Sequence, residues 1–126
     1  MYGPGMVWIG VLPAFIDAAR AGKRLTATVG AHADFVHVVD AARATVAAVS
    51  AQSDGVFNVA AGVETSIVEL ARTVLTACGR SADDLDQTPG LVARALVDVT
   101  RLRSELSVTS GLPLSEGIAS VLRAPS

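Results

Sequence analysis

Residues 66 to 79 read SIVELARTVLTACG, a helix whose two ends are both marked in the sequence. Ser66, followed three residues later by Glu69, is the pattern in which a hydroxyl and a carboxylate satisfy the first unpaired backbone N–H groups. Ile67, Leu70, Ala71, Val74, Leu75 and Cys78 share one face, and Gly79 stands where a left-handed residue closes a helix. A helix that is apolar on one side must lie against a second layer. The candidates are short. Leu25 to Val29 (LTATV), Phe35 to Val38 and Val56 to Val59 read as strands, with Gly30 to Ala33 as the connection between the first two. Trp8, Val11, Leu12, Phe15, Ile16 and Ala19 recur at helical spacing, and Pro13 predicts a kink or a helix start near Leu12. Asp40 is placed to cap a helix running to about Gln52. A polar loop is expected from Arg80 to Gly90, then a short helix over 99–106 and an amphipathic one over 114–122. Three or so short strands with four to five helices define an α/β chain in one domain, residues 1–126, with few strands for an independent sheet of that class.

Composition removes several functions. The net charge is −2 with no basic stripe, and aromatics are 4% of the 126 residues, which argues against nucleic acid as a partner. The longest uncharged run, Met1 to Ile16, is too short to cross a bilayer, and it has no basic leader of the kind a signal peptide needs. The single cysteine, Cys78, leaves no internal disulfide, and a cytoplasmic setting is the expectation. His32 and His37 lie five apart without a third ligand nearby, so no metal site is expected. Asp34 and Asp40 flank the second expected strand, where acid–base work by paired carboxylates is weighed against capping. No glycine-rich turn follows a strand, so this chain has no dinucleotide fingerprint, and no catalytic residue is assigned within it.

The order of the short motifs carries more than their spacing. Tyr2-Gly3-Pro4, Leu12-Pro13-Ala14-Phe15-Ile16, Gly22-Lys23 and the run from Asp34 to Ala44 (DFVHVVDAARA) follow one another. Then come Gly55 to Gly62 (GVFNVAAG), Ser66 to Ala71 and Asp98-Val99-Thr100-Arg101-Leu102. In this order the chain resembles the C-terminal half of the NAD(P)-dependent epimerase/dehydratase family, the extended short-chain dehydrogenases. The resemblance implies a partial Rossmann-type α/β fold: the substrate-binding lobe, with late strands of the nucleotide-binding sheet. It implies that the dinucleotide-binding half, with its glycine fingerprint and Tyr-x-x-x-Lys pair, lies outside these residues. A truncated gene, a misassigned start and one half of a split protein all satisfy that expectation. Tyr2 is not the family's catalytic tyrosine, which comes earlier in its order.

The resemblance also implies a site. Tyr2, Gly3, Pro4, Val11, Phe35 and Arg94 are its candidate substrate-binding residues. Trp8 and Phe35 are candidate pocket walls, each weighed against a plain core position. Family members that take nucleotide sugars clamp the diphosphate with arginines. Here Ala33 holds one such position, and Thr88-Pro89-Gly90-Leu91 replaces an Arg-Pro-Gly-Asp stretch, so Arg94 or another cation would have to substitute. A nucleotide sugar, or a less charged carbonyl or alcohol, is the implied substrate. NAD or NADP is the cofactor implied for the whole family, none being bound by this chain alone. The apolar faces of the helices over 43–50 and 67–78 are expected to be left without their sheet. The implied partners are therefore a dinucleotide-binding half or a second copy. The alternative is a non-enzymatic interaction module that docks through those faces.

Overall fold

The computed structural model describes residues 1–109 and 111–124. The elements run α1 (Val11–Arg20), β1 (Leu25–Asp34), α2 (Val38–Ala51), β2 (Glu64–Ser66), α3 (Ile67–Ala77), β3 (Leu85–Ala93), α4 (Thr100–Leu106) and α5 (Leu114–Arg123). The sheet has the order β2-β1-β3. β2 runs antiparallel to β1, with Asp34 opposite Glu64, and β3 runs parallel to β1, with Leu25 opposite Leu85. Among the described residues, this α/β architecture of three strands and five helices agrees with the expected fold class.

The core explains why the helices form where they do. Ile16, Leu70, Val74, Leu75 and Ile118 have no exposed surface, and with Leu25 and Ala27 of β1 they join α1, α3 and α5 into one cluster. Pro13 sits in the first turn of α1, where the missing N–H costs little, so the helix starts at Val11 rather than kinking. Ser66 Oγ accepts from the Glu69 N–H at 3.0 Å, capping α3 as its sequence requires. Ser66→Ala is expected to cost about 1 kcal/mol, read as a lower urea midpoint at unchanged slope. A second, smaller cluster of Ala44, Ala60, Val99, Leu102 and Leu106 joins α2 to α4.

Several elements differ from expectation. β1 does not stop at Val29; it continues through an irregularity at Gly30, φ +86°, to Asp34. Phe35 to Val38 is not a strand, because α2 already begins at Val38. The cap of α2 is His37, whose Nδ1 accepts from the Val39 N–H at 3.2 Å. Asp40 instead lies in the first turn, where it accepts from Arg43 Nη1 at 3.0 Å. Val56 to Val59 is irregular. No strand among the described residues pairs with it, and it is held to α4 instead. Asn58 Nδ2 donates to Asp98 O, Arg101 Nη1 donates to Val56 O, and the Arg101 guanidinium lies 4.6 Å from the Phe57 ring centre. The expected loop from Arg80 to Gly90 contains the start of β3. The apolar face of α3 is buried within this chain, so of the two helix faces expected to be uncovered only that of α2 is exposed, at Val39, Val46 and Val49.

Candidate functional site

The first residues of the chain are bound into the fold by their backbone. Tyr2 N–H donates to Val36 O at 2.9 Å and Tyr2 O accepts from the Val38 N–H at 2.7 Å, a parallel bridge onto the entry of α2. The Tyr2 side chain is 4% exposed. Its ring meets Phe35 edge-on at 6.4 Å and His37 edge-on at 5.1 Å. Gly3 follows with φ +149°, and a Cβ there would lie 2.4 Å from Val38 Cγ1. The turn therefore needs glycine for steric as well as conformational reasons.

Around Tyr2 the polar groups are committed. With Nδ1 of His37 accepting from Val39, the ring proton sits on Nε2 and is donated to Ser120 Oγ at 3.0 Å. Ser120 Oγ in turn donates to Gly117 O at 2.6 Å. This line of bonds joins the N-cap of α2 to α5 beneath the tyrosine. Burial first, and the negative charge of Asp40 second, push the Tyr2 phenol up to about 12. A raised phenol pKa favours the neutral ring in the folded chain. The stabilisation is complete below about pH 10, the unfolded value, and is lost as pH rises through the folded one. Tyr2 is the only tyrosine, so tyrosinate absorbance reports it alone. Ionisation is expected well above the free phenol's range, with cooperative loss of structure accompanying it. Titration near the ordinary value in the intact fold would show that the ring is not sealed.

Gly3, Pro4, Gly5 and Met6 form a wall between two clefts. One, of about 450 Å³, also takes in Met1, Tyr2, Val7, Ile9 and Val38. The other, also of about 450 Å³, is completed by Trp8, Asp17, Arg20, Val121 and Ala124. Of the sequence candidates, Tyr2, Gly3, Pro4 and Phe35 come together at this turn. Phe35 and Val11 are half-buried against the main core, and neither lines either cleft. Trp8 does line one, as a pocket wall.

Arg94 stands elsewhere, just beyond β3. Its guanidinium makes a two-pronged pair with Glu64 of β2, Nε to Oε1 at 2.7 Å and Nη2 to Oε2. The pairing raises the Arg94 pKa and, through the same hydrogen bonds, holds the Glu64 carboxyl below its usual range. Two of the Arg94 N–H donors are thus taken by a carboxylate. Asp34, at the end of β1, is engaged by backbone. Its two oxygens accept from the N–H groups of Ala61, at 2.7 Å, and Gly62, at 2.8 Å. Sequence reasoning missed the His37 cap, a local bond to Val39 N–H hidden by the better capping residue Asp40 three positions on, and the Trp8–Asp17 bond and Arg20, which depend on contacts distant in sequence or on the path of the first loop. Among the described residues no group of three or more His, Cys, Asp or Glu could hold a metal ion, and no helix is long and apolar enough to cross a membrane.

This architecture is that of a part of the Rossmann-type extended short-chain dehydrogenases, the structures of nucleotide-sugar epimerases and dehydratases among them. The Bordetella bronchiseptica enzyme WbmH, solved in complex with NAD+, is 32% identical with a TM-score of 0.81 over 95% of this chain and 40% of its own. WbmF of the same organism, in complex with NAD+ and UDP, is 29% identical with a TM-score of 0.81 over 96% of this chain and 41% of its own. The dTDP-glucose 4,6-dehydratase of Bacillus anthracis, in complex with NAD, shares the fold at 21% identity and a TM-score of 0.80, over 97% of this chain and 40% of its own. The chain thus spans about 40% of the length of the structures it matches. No protein-family model matches it, and no curated protein matches it.

Proposed function

We propose that this chain is the substrate-binding portion of an NAD(P)-dependent enzyme, similar to nucleotide-sugar epimerases and dehydratases or to a related carbonyl reductase. In this reading it corresponds to their C-terminal part and works only with a dinucleotide-binding half. The observation that carries the reading is the match to WbmH, nearly the whole of this chain against 40% of that one at 32% identity. The Tyr2-Gly3-Pro4 turn, seated on Phe35 and the start of α2, is the substrate-facing element. Nicotinamide nucleotide is assigned to the other half, since no glycine-rich strand-to-helix turn occurs in these residues. Hydride transfer belongs to that nucleotide, and the residues here bind and orient substrate.

Two features narrow the substrate. Ala33 provides no cation, and Arg94 already shares two of its N–H donors with Glu64. A substrate less charged than a diphosphate, a simple carbonyl or alcohol, suits this site better than a nucleotide sugar, because a diphosphate left without paired donors forfeits its strongest contacts. The exposed valines of α2, with Val46 at 66% and Val49 at 75%, support a docked partner half, since isolated chains rarely leave such faces uncovered.

The test is a chimera that joins the dinucleotide-binding part of WbmH to this chain, assayed for cofactor-dependent turnover of UDP-sugars and of small carbonyls. Turnover by the chimera and none by the chain alone is the expected result. A chimera that folds and binds NAD yet turns over neither class, or turnover by the chain alone, overturns the reading.

A further inference from the structure

The cleft on the far side of the Gly3–Met6 wall has its own chemistry. Its floor and one side are apolar, from Met6, Val121 and the Trp8 indole, which is 45% exposed. Trp8 Nε1–H donates to Asp17 Oδ2 at 2.8 Å, which fixes the ring against α1. Asp17 and Arg20 stand one helical turn apart on α1 and both line the cleft. They are not spent on each other. Among the described residues, Asp17 accepts from the indole, and Arg20 Nη2 donates to Leu122 O of α5, at 3.3 Å. Among the described residues, the cleft is therefore lined by a carboxylate and by guanidinium donors not paired with it, together with apolar side chains. At about 450 Å³ it is large enough for a small organic molecule.

A purely anionic ligand meets Asp17, and a purely cationic one meets Arg20. We infer that this cleft binds a small zwitterion with an apolar body, the class of free apolar α-amino acids, its ammonium toward Asp17 and its carboxylate toward Arg20. The indole face supports the ammonium as well, and the planar guanidinium suits a carboxylate. The assignment is independent of the substrate-binding reading, and its test uses binding alone.

Trp8 is the only tryptophan, so its indole N–H signal in a nitrogen–proton correlation spectrum reports the cleft. The full chain is titrated with phenylalanine, N-acetylphenylalanine and phenylalaninamide at roughly pH 6, below the α-amino range. Phenylalanine is expected to shift the signal saturably and to bind about threefold or more tighter than either singly charged analogue. Arg20→Gln is expected to erase its advantage over phenylalaninamide, and Asp17→Asn its advantage over N-acetylphenylalanine. The comparison of the three ligands on the unaltered chain needs no variant to fold. No saturable shift, equal binding of all three, or tightest binding of the N-acetyl compound overturns the inference.

Discussion

Gly117→Ala is expected to destabilise the chain by about 3 kcal/mol, the upper end of what overpacking a core costs, although alanine is the better helix former by about 1 kcal/mol. Gly117 lies in α5 against the sealed tyrosine. A Cβ there would stand 2.0 Å from Tyr2 Oη and 2.7 Å from its Cζ. Neither side can yield cheaply. The tyrosine is fixed through its own backbone to Val36 and Val38, and α5 is tied down by Ile118 in the core and by Ser120 on His37. Because the closest atom is the phenol oxygen, Tyr2→Phe in the Gly117→Ala background is expected to restore part of the loss, while Tyr2→Phe alone changes stability little. Urea midpoints of the four proteins give the coupling directly. Additive effects would mean that α5 moves away from the first turn without resistance, and the turn would then not be a fixed wall of either cleft.

The same contact shows what a sequence can and cannot disclose. α1, α3, α4 and α5 were legible because each carries its burial in its own periodicity, and α3 adds its cap at Ser66. β3 was not, since its residues beyond Leu85 are exposed. It exists through backbone pairing to β1, which leaves no alternation of side chains, and Pro89 is tolerated because β3 is an edge strand. The apolar run 56–59 looked like a strand for the opposite reason. Its side chains suit a sheet, but no strand stands beside it, and Arg101, Phe57 and Asn58 hold it to α4 instead. At the site, the Tyr2-Gly3-Pro4 turn was visible as a turn, while Phe35, expected as a pocket wall, was not placed beside it until the fold brought their rings together. The pairing of Arg94 with Glu64 was not, because it spans thirty positions of sequence and depends on β3, the element that composition hid.

Asp34→Ala is expected to cost about 3 kcal/mol, two charge-assisted hydrogen bonds at the lower end of their range. The carboxylate ends β1 and receives both the Ala61 and Gly62 N–H groups, so removing it leaves two backbone donors unpaired beside a half-buried segment. Asn is expected to fall between the two, since its amide keeps one acceptor oxygen and places a donor where the second stood. The loss should be local before it is global. Amide exchange at Ala61 and Gly62 should quicken first, with Thr65, opposite Ala33, following as the short β2 ladder loosens. The amides of α1, α3 and α5 should keep the exchange set by global unfolding. If Asp34→Ala instead leaves exchange at 61 and 62 unchanged, the loop is held by its packing on the smaller core cluster through Ala60. The expected outcome ties the end of β1 to the 61–62 loop and to β2. Asp34 then serves to hold the loop that leads into β2, which carries Glu64 opposite Asp34 and, through it, the pair with Arg94.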